Sequence, residues 1–132
     1  MAGGMTTMEK MTDREFRDKW VHALRTTKRK QGEGVLKERV INPDTERAEI
    51  RYCCLGIACE IDDRVKLTWI DGEACWGAQL RNGDHGESSY TVLPSDYADT
   101  IGLSRSAMNR LTDMNDSGTS FPEIADWIEE NL

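Results

Sequence analysis

Residues 53–61 read Cys-Cys-Leu-Gly-Ile-Ala-Cys-Glu-Ile, with Glu60 the one charge in the run. A half-exposed strand alternates apolar and polar residues, and this stretch does not. Wound as a helix, it places Cys54, Leu55, Ala58 and Ile61 on one face. Cys53, Ile57 and the stem of Glu60 cover much of the other. A helix apolar all round belongs inside a core. Gly56, Ala58 and Cys59 are small enough to let neighbouring backbone come close. The expected fold is built around this segment: an α+β chain with an N-terminal amphipathic helix, a small antiparallel sheet around a buried Cys-rich helix, and a helical C-terminal third.

The flanking segments supply those parts. Thr12 and Glu15 form a capping-box pattern, and Phe16, Trp20, Val21 and Leu24 share one helical face, predicting a helix from Asp13 to Thr26. Residues 1–11 read as a flexible tail, leaving 12–132 as a single domain. The runs 35–41 and 47–52 flank Asn42-Pro43-Asp44, a turn signal, and predict a hairpin. A second hairpin is expected from 65–70 and 74–80 through the pair Asp71-Gly72. Residues 90–93 suggest a further strand. Beyond Pro94 the pattern turns helical, with a stop at Gly102, a cap at Ser104, and a capping box from Ser120 to Glu123.

A chain of 132 residues can bury one real core. No apolar run approaches the ~18 residues of a membrane span. The start, Met-Ala-Gly-Gly-Met-Thr-Thr, lacks the pattern of a secretion signal. A cytoplasm with reduced thiols is the expected setting. The net charge of −7 argues against generic nucleic-acid binding. Its distribution is uneven: residues 14–51 carry eleven Lys or Arg against seven Asp or Glu, and residues 52–132 carry five against fifteen. The first third can therefore present a basic face to a partner.

Three chemistries compete for the cysteines. Cys54, Cys59, Cys75 and His85 could gather round zinc, but their spacings lack the short paired pattern of structural sites. Cys53 or Cys54 at a helix N-terminus could act as a nucleophile, with His85 as base and Asp84 or Glu87 orienting it; His22 is the weaker candidate base. The third reading, small apolar residues in a core, explains the same positions without chemistry and is preferred. From Asp113 the sequence resembles a calcium loop, yet its twelfth place holds Ile124 instead of an acid, so helix capping is the preferred account. No metal and no cofactor is expected. Lys28-Arg29-Lys30 beside Gln31-Gly32-Glu33-Gly34 could present cations and amides to an anion, although neither nucleotide-binding glycine fingerprint is present.

Four blocks lie in order along the chain: W-x-x-A-L-R at Trp20–Arg25, Q-G-x-G-x-L at Gln31–Leu36, Y-C-C-L-G at Tyr52–Gly56 and N-D-x-G-x-S-F-x-x-I-A at Asn115–Ala125. In these the chain resembles a family of small proteins of tailed bacteriophages and prophages. The resemblance implies a phage gene product at work in the host cytoplasm, and implies no activity, ligand or catalytic residue. The functional expectation is a non-catalytic binding protein of host takeover or counter-defence, acting on a host protein or a small anionic or nucleotide ligand. Lys28, Lys30, Gln31, Arg51, Asn115 and Asp116 are its candidate contacts. The alternatives are a cysteine hydrolase using Cys53 or Cys54 with His85, and a metal-binding helix–loop–helix. A homo-oligomer is left open.

Overall fold

The computed structural model describes residues 14–81 and 89–132. Helix α1, Arg14–Thr26, buries Phe16, Trp20, Val21 and Leu24, the face its sequence periodicity marks. It lies against two other helices, α2 (Cys54–Ile61) and α5 (Phe121–Asn131). Helix α2 is the predicted central element: Cys54 to Cys59 are all buried. The indole Nε1 of Trp20 donates to the carbonyl of Cys54 at 3.0 Å, joining α1 to its first turn. Thr12 and Asp13, where the first capping box was expected, lie outside the described residues, as do residues 1–11.

The sheet has five strands: β1 (Lys30–Gln31), β2 (Lys37–Ile41), β3 (Ala48–Tyr52), β4 (Val65–Ile70) and β5 (Cys75–Leu80), in the order β1-β3-β2-β5-β4. It is mixed, because β1 runs parallel to β3 while the other pairings are antiparallel. The short β1 carries too little apolar pattern to be read as a strand. The β2–β3 hairpin turns at Asn42, whose Oδ1 accepts from the amide of Asp44 at 2.8 Å. This is the local bond that makes Asn a turn former. The β4–β5 hairpin departs from the two-residue turn expected of Asp71-Gly72. Its connection is a 3₁₀ turn, Asp71–Glu73, followed by Ala74 in the left-handed region at φ 53°. Residues 90–93 do not form the expected strand. Ser89 makes an isolated bridge to Ala78, and the carbonyl of Tyr90 accepts from the amide of Leu36.

The helical third contains α3 (Ser95–Ile101), α4 (Arg105–Asp116) and α5. Gly102, at φ 76°, ends α3, Ser104 caps α4, and Ser120 with Glu123 forms the capping box of α5. The stop at Gly102 and the caps at Ser104 and Ser120 were legible because capping acts between neighbouring residues. Apolar side chains from Phe16 to Ile128 join in one core cluster. Among the described residues no helix is long and apolar enough to cross a membrane.

Candidate functional site

Three of the four sequence blocks meet at one buried side chain. Asn115 is 1% exposed and belongs to the last turn of α4, not to a loop. Its Oδ1 accepts from the amide of Cys54 at 3.0 Å and from Nε2 of Gln31 at 3.1 Å. Its Nδ2 donates to the carbonyl of Gly32 at 2.7 Å. Gln31 also donates to the carbonyl of Thr119, and the carboxylate of Asp116 accepts from the amide of Gly34. Cys53, at the start of α2, makes no side-chain cap hydrogen bond to the helix. Asn115 therefore caps α2 from another helix, satisfying an amide its own chain neighbours leave open. Gln31, Asn115 and Asp116, singled out as ligand contacts, are brought together here and committed to internal bonds. The cleft beside them, bordered by Gly34, Val35, Cys53 and Thr91, has about 10 Å³ of space, room for no more than ~1 water.

The other singled-out residues lie apart from this junction. Lys30 and Arg51 both bond Glu49, at 2.8 and 3.1 Å. Hydrogen bonds from Lys30, then from Asn42, hold the Glu49 carboxyl down to about 2. Lys28 is exposed before β1. Cys53 and Cys54 are buried, and burial pushes the Cys53 thiol up to about 11 and the Cys54 thiol well above its ordinary value. That is the reverse of what a nucleophile requires. Cys59 and Cys75 are also raised by burial. His85, with Asp84 and Glu87, lies outside the described residues. Among those described, no three His, Cys, Asp or Glu side chains gather as a metal site. In the calcium-like stretch, Asn115 points inward, to Cys54 and Gly32.

A different group stands out on the sheet. Lys37 of β2 faces Tyr52 of β3, and the pairing of Glu38 with Cys75 sets Lys37 beside Trp76 of β5. Trp76 in turn faces Trp69 of β4. One row of side chains thus crosses four strands: Tyr52, Lys37, Trp76, Trp69. The Lys37 ammonium lies 5.2 Å from the Tyr52 ring centre and 4.3 Å from that of Trp76, within cation–π range of both. The two indoles meet edge to face at 4.6 Å, inclined by 67°. Arg29 extends the row past Tyr52, 5.5 Å from its ring, and pairs with Glu60 at 3.0 Å.

Burial lowers the Lys37 pKa, with Arg29 adding to the effect and Glu60 opposing it. Burial, with a hydrogen bond to Glu60, raises Tyr52 to about 12. Lys37 is half-buried and has no carboxylate within ion-pair distance among the described residues. At the outer end Trp69 is 39% exposed. Sequence reasoning missed Lys37, Trp69 and Trp76 as a group. The sequence put the two tryptophans on the strands of one expected hairpin but not opposite each other, and the position of Lys37 depends on the non-local β2–β5 contact.

A family model described as a domain of unknown function, DUF8296, matches residues 11–132. The chain belongs to this family. The DUF8296 match takes in every described element, so the Asn115 junction and the cation–aromatic row both lie within it. Comparison of this DUF8296 chain with the curated proteins and with the solved structures found no match.

Proposed function

We propose that the chain is a non-catalytic binding protein for an anionic partner, and that it works as a phage-encoded factor in a bacterial cytoplasm, in host takeover or counter-defence. The observation that carries the binding reading is Lys37, a half-buried cation held between two aromatic rings with no carboxylate paired to it among the described residues. A buried charge is costly unless something of opposite sign or strong polarity meets it. An arriving anion would supply that group. The uneven distribution of charge supports the same reading, since the basic first third contributes β1, β2 and β3. The phage assignment rests on the resemblance of the four blocks, in their order along the chain, to the phage and prophage family.

Native mass spectrometry of the protein isolated from phage-infected bacterial lysate tests this, with Lys37→Met isolated alongside. Retention of an anionic ligand or an acidic protein by the natural chain, and its loss from the variant, is the expected result. A bare protein in both samples would count against the binding reading. The hydrolase alternative through Cys53 or Cys54 gains nothing from the buried, high-pKa thiols.

A further inference from the structure

We propose that the row Tyr52–Lys37–Trp76–Trp69 is a site for a nucleoside 5′-phosphate, with the base stacked on Trp69 and the phosphates reaching Lys37. This rests on the reading of the protein as an anion binder and names the class of anion.

The cation and the exposed indole belong to one row on one face of the sheet, two strands apart. Two strand spacings are about 10 Å, a span that a base, a ribose and a short phosphate chain together can cover. Indole faces bind bases because every base offers a π-face, and side chains on a sheet surface can present them for stacking. Trp69 is suited to that role by its 39% exposure and by the Trp76 ring, which holds it edge to face. Lys37 suits the phosphate role: its ammonium is held between the rings of Tyr52 and Trp76, so little rotamer freedom remains to be lost on binding. Arg39, one step along the same face of β2, is exposed and adds a second cation.

Charge complementarity favours a small nucleotide over other anions. A long nucleic acid would run on from the row into the remainder of a chain that carries fifteen acids against five bases after residue 51. A ligand with few phosphates feels mainly its own neighbourhood, because salt screens beyond about 8–10 Å. An acidic peptide would answer Lys37 but would bring no base to stack on Trp69.

The test titrates the purified full chain with ATP, GTP, CTP and UTP, and with inorganic tripolyphosphate as the base-free control, following tryptophan fluorescence and heat. At least one nucleotide should quench the fluorescence saturably and bind more tightly than tripolyphosphate. Trp69→Leu should weaken that nucleotide about tenfold and leave tripolyphosphate within about twofold. Trp69→Phe, which keeps an aromatic face, should restore most of the affinity. Lys37→Met, which keeps the stem, should weaken both ligands about tenfold. Melting curves check that the variants fold.

Tripolyphosphate binding as tightly as every nucleotide, or Trp69→Leu binding all of them normally, would overturn the nucleotide site while leaving an anion binder. If no nucleotide binds, the site is likewise overturned. The native mass spectra then decide separately whether the broader reading survives.

Discussion

Asn115 uses one amide group to join three segments: the entry to β2 through Gly32, β1 through Gln31, and the first turn of α2 through Cys54. Removing it leaves buried donors and an acceptor without partners, at about 1–3 kcal/mol for each group left unsatisfied. Asn115→Ala should therefore lose about 3 kcal/mol or more in urea unfolding, well beyond an ordinary surface change. Gly56 is constrained by shape instead. A Cβ there would stand 1.8 Å from the carbonyl oxygen of Leu36, which also accepts from the amide of Cys53. Gly56→Ala should destabilise by about 3 kcal/mol, at the upper end of overpacking costs, or prevent folding; soluble yield and melting temperature would show which. At Cys53 and Cys54, native protein at neutral pH should resist iodoacetamide and react only on unfolding, as mass spectrometry after timed alkylation would reveal.

The joints between elements are polar and placed at helix ends. Asp62, at the C-terminus of α2, is 9% exposed, pairs with Arg64 at 2.7 Å and accepts from the Tyr97 hydroxyl at 2.6 Å. Burial alone would raise its pKa, but the bonds from Arg64 and Tyr97 outweigh it and the carboxyl is lowered. A depressed folded pKa means stability that is present above the unfolded value, about 4, and lost as the pH falls through the folded value. Asp62→Asn should accordingly melt lower than the natural chain at neutral pH, and the gap should narrow on acidification below about pH 4. A gap independent of pH would show that packing, not ionisation, makes the joint. Helix α1 is tied to α5 by Arg25, which bonds Asp126 at 2.6 Å and Glu129 at 2.8 Å. These partners are exposed, so the tie adds little beside the apolar face behind it.

At the scale of the whole molecule, the basic first third and the acidic remainder meet in one sheet. Strands β1, β2 and β3 come from the cationic part, while β4 and β5 come from the acidic part and carry both tryptophans of the row. The candidate site lies across that seam, at the β2–β5 pairing. Helix faces, caps, the β2–β3 turn and the buried cysteine helix were legible because each rests on residues within a few positions of one another, where periodicity and capping act. The β4–β5 strands were legible, but their register was not. A two-residue turn at Asp71-Gly72 would put Trp69 opposite Ala74; the longer connection moves Trp76 there instead.

By itself, then, the sequence determined the helices, the strands β2 to β5 and the buried helix faces, and that residues 53–59 are core. Those outcomes follow from local patterns of apolar and capping side chains. The sequence did not show β1, and the strand it suggested at 90–93 does not form. The tertiary structure decided what the polar residues do. Gln31, Asn115 and Asp116 look like free contacts in one dimension, and chain segments tens of residues away engage all three. Lys37 looks like an ordinary strand lysine until the β2–β5 pairing sets Trp76 beside it. A hydrogen bond or a ring contact needs its partner within a few ångströms, and which partner arrives is settled only when distant strands and helices pack.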